Sequence, residues 1–284
     1  MTAVRSGPAS ETRAIRGLEA WLFVPGDRPE RIAKALASSA DRVIIDWEDA
    51  VAASRKDEAR AATVDSLNAH PDQSPGRVIV RINPEDHPAQ PDDRAVLDLL
   101  GPVTVMLAKA ERPEAVAALT ASGRPCLPLV ESPEGIERSR TLAGVPGVTG
   151  LAFGCVDYLG DLGIPRSPEA LLYAQSRLVN AARAAGLRTV ADGPWIDFDD
   201  PAGLDSDIQR ARMLGFTAKL TVHPRQIERL DALTAIPPER IDWARGVIAA
   251  LEDAEARGEG VIRYQGNMID PAVIKEAKQL LTRL

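Results

Sequence analysis

The sequence predicts a closed (β/α)8 TIM barrel with a C-terminal helical extension and lid. Three observations carry that expectation. Eight short apolar runs recur along the chain, most of them end in a charged or polar residue where a strand should stop, and the stretches between them keep helical period with their own start and stop signals. Strands this apolar suit a parallel sheet covered on both faces. A barrel typically needs about 250 residues, so the 284 here accommodate one barrel and a short extension. Barrel active sites gather at the C-terminal ends of the strands, and the strand tips therefore name the candidate chemistry.

The first run, Trp21-Leu22-Phe23-Val24-Pro25, precedes Pro29 at a helix N1 position, with Ile32, Ala33 and Leu36 in helical period. The second, Val43-Ile44-Ile45, ends in Asp46-Trp47-Glu48-Asp49, and its helix is expected from about Ser54, with Asp57 and Glu58 in the first turn, to His70-Pro71. The third, Val78-Ile79-Val80-Arg81-Ile82-Asn83, leads to a short helix near 93–100 stopped by Gly101-Pro102. The fourth, Val103-Thr104-Val105-Met106-Leu107-Ala108-Lys109, and the fifth, Cys126-Leu127-Pro128-Leu129-Val130-Glu131, are each followed by a proline-initiated helix, opened by Arg112-Pro113-Glu114 and Ser132-Pro133-Glu134. Those helices close at Gly123 and Gly144, as C′ glycines do. The sixth, Gly150-Leu151-Ala152-Phe153-Gly154, leads to Asp157 and a long helix over 168–185. The seventh is Thr189-Val190-Ala191-Asp192, with a helix over 202–214; the eighth is Leu220-Thr221-Val222-His223, with a helix over 226–233.

Three regions are expected: a flexible tail over 1–17, the barrel over 18–236, and the extension and lid over 237–284. In the last, Pro237-Pro238-Glu239 opens a long helix to about Arg257, an extended segment covers 261–270, and a final helix starts at Pro271. The tail carries Arg5, Arg13 and Arg16 together with Glu11 and Pro8 and lacks an apolar h-region. An apolar fraction of 45% suffices for a large core, and a net charge of −7 argues against a nucleic-acid partner. No run approaches the roughly 20 apolar residues of a membrane helix. Cys126 and Cys155 form no CxxC pattern, which speaks against a disulfide framework or a zinc site. The expected compartment is the cytoplasm.

At the tips, Glu131 and Asp157 end adjacent strands and can reach one point. Converging carboxylates repel unless a cation lies between them, and Mg2+ accepts one or two carboxylates while leaving positions for water and substrate. The alternative makes them a helix N-terminal acid and a helix cap. Arg81 ends an apolar strand, where a guanidinium needs an anion: a substrate carboxylate held by its fork, or the acids of strand two. Period two puts Asp46 and Glu48 on one side, where they accept from metal-bound water, orient Arg81, or form a solvated acidic loop. Lys109 is one of only six lysines. Its acidic neighbours keep it an ammonium, in a charge-balancing or substrate-binding role rather than as a Schiff-base nucleophile. His223 is read first as a structural histidine and second as a site residue.

In this order the motifs resemble those of the citrate lyase β-subunit / malyl-CoA lyase group of the HpcH/HpaI aldolase superfamily. The stretches are Leu22-Phe23-Val24-Pro25-Gly26-Asp27-Arg28, Asp46-Trp47-Glu48-Asp49-Ala50-Val51, Arg81-Ile82-Asn83, Lys109-Ala110-Glu111, Glu131-Ser132-Pro133-Glu134-Gly135, Phe153-Gly154-Cys155-Val156-Asp157-Tyr158, His223-Pro224-Arg225-Gln226 and Gly266-Asn267-Met268-Ile269-Asp270. The resemblance implies a Mg2+-dependent lyase that cleaves or forms 3-hydroxyacyl-CoA thioesters, yielding an acyl-CoA and a 2-keto acid. It implies Glu131 and Asp157 as metal ligands and Arg81 on the keto-acid carboxylate. Backbone amides from Gly154 through Cys155 and Val156 to Asp157 assist substrate binding, together with Lys109, and Arg28 lies near the CoA phosphates. Glu48 joins Arg81 in the catalytic set, and Asp270, on the lid, is the acid–base residue acting across the subunit boundary of a trimer or hexamer.

Three departures bear on this. The hydroxy-keto-acid aldolase branch carries a histidine base at the strand-two tip, absent here, which lowers that reading. Trp47 replaces a common leucine, and Cys155-Val156 replaces a small-acidic pair, changes that alter pocket shape while leaving the implied ligands in place. Two other readings stand beside the free-standing lyase: the β-subunit of a citrate lyase complex acting on a carrier-bound thioester, and a barrel that binds a keto acid without turnover.

Overall fold

The computed structural model describes residues 16–73, 76–258 and 261–282. Most of the expected tail, residues 1–15, lies outside the described residues. The described chain divides into two compact units, one over Leu18–Leu233 and one that joins residues 16–17 to 234–282.

In the larger unit eight parallel strands close a barrel in sequence order: β1 (Glu19–Pro25), β2 (Arg42–Asp46), β3 (Val78–Ile82), β4 (Thr104–Leu107), β5 (Cys126–Val130), β6 (Gly150–Phe153), β7 (Thr189–Asp192) and β8 (Ala218–Thr221). β8 closes the ring through Trp21 opposite Leu220. The covering helices are α1 (Pro29–Leu36), α2 (Lys56–Ala69), α3 (Gln90–Leu97), α4 (Pro113–Thr120), α5 (Pro133–Ala143), α6 (Cys155–Leu162), α7 (Pro168–Ala184), α8 (Pro201–Leu214) and α9 (Pro224–Thr234). The predicted barrel is thus the observed one, with local differences. α3 starts earlier than expected because Pro91 fits its first turn. β8 starts two residues earlier, at Ala218, where the charge of Lys219 had interrupted the apolar run. Gly144 caps α5 with right-handed φ of −82°, and the left-handed turn falls at Gly147. The helix α6, closed by Gly163 at φ +65°, was not anticipated.

Side-chain parity divides the core. Trp21, Ile44, Ile79, Met106, Leu127, Leu129, Ala152, Ala191, Ala218 and Leu220 fill the lumen, and the remaining strand residues pack outward on the helices. The lumen residues of β6 and β7 are alanines, which leaves room for Trp21 and the long aliphatic side chains from the other strands. At the N-terminal end Trp21 Nε1 donates to Glu19 Oε2 at 2.7 Å and Arg42 lies over its ring at 5.1 Å, so the buried indole has a partner. Gly26 lets the turn after β1 approach the tip of β2: its N–H donates to Asp46 O at 2.8 Å, and a Cβ there would stand 2.7 Å from Trp47 Cδ1.

In the smaller unit Arg16 bridges to Ala235, and Gly17 N donates to Thr234 O at 2.6 Å, so the end of the expected tail is paired. The expected extended segment is a hairpin of β9 (Ile262–Tyr264) and β10 (Asn267–Ile269). Its two-residue turn, Gln265-Gly266, has φ of +50° and +82°, the geometry that matches strand twist. The hairpin packs with α10 (Pro238–Arg257) and α11 (Pro271–Leu281) around Ala244, Val247, Ile269 and Ala277. Among the described residues no helix is long and apolar enough to cross a membrane.

Candidate active site

The same parity that fills the lumen with apolar groups brings chemistry to its mouth. Ile44, Ile79, Leu129 and Ala152 are lumen residues, so two positions on, Asp46, Arg81, Glu131 and Gly154 stand on the lumen side at the C-terminal ends. Arg81 Nε and Nη2 donate to Asp46 Oδ1 and Oδ2 at 2.7 and 2.6 Å, and Nη1 lies 2.9 Å from Glu48 Oε2. The guanidinium also rests 5.0 Å over the Phe23 ring. Burial opposes its charge, but Asp46 and Glu48 outweigh burial and hold its pKa above the usual range. The acids therefore occupy three of the five N–H donors of the guanidinium and leave two for a ligand.

The β2 tip is itself tied down. Asp46 accepts from Glu48 N at 2.9 Å and Ala50 N at 3.0 Å. The buried Lys56 donates through Nζ to Trp47 O at 2.8 Å and Glu48 O at 3.1 Å. Asn83 Nδ2 donates to Trp47 O at 3.2 Å and to Asp93 Oδ2 at 2.6 Å, and Asp93 also receives Arg60 Nη1 at 2.6 Å. Burial raises the Glu48 pKa, partly offset by Arg81.

Glu131 is 3% exposed. Its Oε1 accepts from Lys109 N at 2.7 Å, a donor presented by the left-handed backbone of Lys109 at φ +48°. A non-glycine residue holds that conformation only where its surroundings enforce it. Oε2 accepts no hydrogen bond among the described residues. It lies against Gly154, where a Cβ would come within 2.3 Å of it, so only glycine leaves it room. Burial pushes the Glu131 carboxyl up to about 8, Arg81 pulls it down, and the charges of Asp157 and Glu48 push it up again. Asp157, half-buried in the first turn of α6, is thus electrostatically in reach of Glu131.

Lys109 Nζ lies 3.4 Å from Glu48 Oε1. Burial lowers its pKa, but Glu48, Asp49, Glu131 and Asp157 raise it further, so it is an ammonium, as its acidic neighbours predicted. Beside it opens a crevice of about 370 Å³ lined by Pro84, Glu85, Leu107, Glu111, Arg112 and Glu134. Cys155 is buried and free, while Val156 is exposed.

Other candidates sit elsewhere. Arg28 is half-exposed, with its ion contact to Asp27 at 3.8 Å. His223 lies past the end of β8, where its Nδ1 accepts from Arg225 N at 3.1 Å and its ring packs edge-on against Phe198, which agrees with the structural reading. Asp270 belongs to the smaller unit, exposed, and caps α11 by accepting from Val273 N at 2.8 Å. Lys56, Arg60, Asp93, Arg166 and Lys219 are buried or part-buried charges that are not evident as site residues from the sequence. One signal was available, a lysine inside the apolar run of β8.

Among the described residues no group of three or more His, Cys, Asp or Glu side chains is arranged to hold a metal ion. The pair Glu131 and Asp157 offers oxygen donors only, Glu131 Oε2 accepts no hydrogen bond among the described residues, and burial of the carboxyl outweighs the positive charge of Arg81. That donor set fits Mg2+, which commonly takes one or two carboxylates and fills its remaining positions with water and substrate oxygens.

The family described as HpcH/HpaI aldolase/citrate lyase matches residues 19–224. The chain is 32% identical to the mitochondrial citramalyl-CoA lyase of Homo sapiens, over 93% of this chain and 84% of that one. It is equally 32% identical to the citrate lyase subunit beta of Escherichia coli (strain K12), over 96% and 95%. The crystal structure of protein CitE from Mycobacterium tuberculosis in complex with magnesium, acetoacetate and coenzyme A superposes with a TM-score of 0.75 at 33% identity, covering 94% of this chain and 98% of that one.

Proposed function

From the premise that the chain belongs to the HpcH/HpaI aldolase/citrate lyase family, we propose that it is a Mg2+-dependent carbon–carbon lyase acting on a malyl-CoA- or citramalyl-CoA-like thioester. Its products in the cleavage direction are an acyl-CoA and a 2-keto acid of the glyoxylate, pyruvate or oxaloacetate class. The observation that carries this reading is the buried carboxyl of Glu131, which feels the charge of Asp157, together with an Arg81 that keeps two donors beyond those engaged by Asp46 and Glu48.

Glu131 and Asp157 would hold the cation, which when bound supplies Lewis-acid polarisation of the keto-acid carbonyl. Arg81 binds the keto-acid carboxylate with its free N–H donors, its plane fixed by Asp46 and Glu48 so that little rotamer entropy is lost on binding. Lys109 adds positive charge at the mouth. The amides of Cys155, Val156 and Asp157, in the first turn of α6, have no acceptor within the helix and suit anionic oxygens. In cleavage the hydroxyl gives its proton to water and its electron pair forms the keto C=O, the carbon–carbon pair passes to the thioester as its enolate, and protonated Asp270 delivers a proton to the α-carbon; in condensation Asp270 as carboxylate removes that proton and the new alkoxide takes one from water. We assign Asp270 to a neighbouring copy's site in a homo-oligomer, with Arg28 near the CoA phosphates.

A panel of 3-hydroxyacyl-CoA thioesters assayed with Mg2+ for acyl-CoA and keto acid tests the activity; no turnover on any of them overturns it. The equal similarity to a citrate lyase subunit sustains a second reading, a carrier-dependent β-subunit. Activity on a CoA thioester without a carrier protein excludes that alternative. Mixing inactive Asp270→Asn chains with inactive Glu131→Gln chains tests the shared site: activity returns if one copy's Asp270 serves another's barrel and stays absent otherwise.

A further inference from the structure

The lyase reading assigns nothing to Arg166, which lies between α6 and α7. Its Nη1 donates to Cys155 Sγ at 3.1 Å and to Pro194 O at 3.2 Å, its Nη2 donates to Asp207 Oδ1 at 2.9 Å, and its plane covers the Trp195 ring at 4.8 Å. Cys155 is the first residue of α6, two before Asp157. Pro194 and Trp195 follow β7. The connection continues to the β8 tip, because Trp195 O accepts from Gln226 Nε2 at 2.7 Å and Gln226 Oε1 accepts from Val222 N at 2.8 Å and His223 N at 3.3 Å. One guanidinium therefore joins the tips of β6 and β7, and Gln226 extends the connection to the tip of β8.

The seat is close and charge-balanced. A Cβ at Gly193 would stand 2.4 Å from Cys155 Sγ, so the backbone after β7 lies directly against the α6 turn. Asp207 also bonds Lys219, which bonds Asp192, both at 2.5 Å, so two cations face two carboxylates. Asp192 and Lys219 lie on the outward side of β7 and β8, behind the lumen residues Ala191, Ala218 and Leu220.

We propose that Arg166 is a positioning residue: by clamping Cys155 against Pro194 it fixes the first turn of α6, and with it the position of Asp157 relative to Glu131. This rests on the reading of Asp157 as a metal ligand. A role in charge balance alone would be met by any cation opposite Asp207, whereas the clamp needs the planar fork that reaches Cys155, Pro194 and Asp207 together.

Arg166→Lys separates the two, with Arg166→Gln beside it. The readouts are hydrogen exchange of peptides covering 154–158, the Mg2+ concentration for half-maximal thermal shift, and the division of any rate loss between kcat and KM. In the lysine variant we expect exchange over 154–158 and the half-saturating Mg2+ concentration each to rise about tenfold, with loss in kcat exceeding any change in thioester KM. If lysine leaves exchange over 154–158 at the level of the unaltered chain, the inference is overturned, and that result stands even if glutamine prevents folding. If the unaltered chain shows neither a Mg2+ response nor lyase activity, the functional reading fails, while the exchange comparison still decides whether Arg166 fixes the turn.

Discussion

Glu131 carries the sharpest prediction at the scale of one residue. Burial puts its folded pKa at about 8, above the ordinary 4.5. A carboxyl whose pKa is raised by folding keeps its proton where the unfolded chain has lost it. Its contribution to stability therefore falls as pH rises from the lower value to the higher and is flat beyond. Mg2+ must displace that proton, so its apparent affinity should tighten by about tenfold per pH unit below the folded pKa and level off above it. Thermal shifts with and without Mg2+ across this range measure the trend, and Glu131→Gln should abolish both the shift and the turnover. A shift independent of pH would contradict the assignment. Arg81→Lys keeps the charge against Asp46 and Glu48 but loses the planar fork. It should raise the KM for the keto acid by about ten- to a hundredfold in the condensation assay.

Two elements can be tested by single substitutions that separate geometry from chemistry. In α11 Asp270 is the N-cap, so Asp270→Ala should cost about 1 kcal/mol of stability whereas Asp270→Asn keeps the cap. If Asp270 is the acid–base group, both lose turnover while keto-acid binding persists. An active asparagine variant would leave it only the capping role. At the start of α6, Gly154→Ala would drive a methyl group to 2.3 Å from Glu131 Oε2. Overpacking of this kind costs roughly 1–3 kcal/mol. The displaced Glu131 should also lose its Mg2+-dependent thermal shift, and retention of the full shift would show that the turn tolerates the methyl group.

For the molecule as a whole, the core is closed by its own strands and by apolar packing in lumen and outer layer. Chelation should therefore end turnover without changing far-UV circular dichroism. The stability lost should not exceed the binding contribution, about 2.7 kcal/mol at a hundredfold saturating concentration; unfolding on chelation would make the metal structural. The barrel was legible in sequence because its signals are local: apolar runs of strand length, prolines at helix starts, polar residues at strand ends. Helix α6 was not, because its eight residues start directly after the strand and contain Gly160. The candidate residues, too, were readable one by one at strand tips, since period two carries an apolar lumen position directly into Asp46, Arg81 and Glu131. What remained open along the chain was which partner each charge would take. Whether Arg81 meets Asp46 and Glu48, how the Lys109 backbone turns toward Glu131, and that Arg166 reaches Cys155, Pro194 and Asp207 at once are matters of distance between residues far apart in sequence. Barrel closure sets those distances, and the order of residues alone does not.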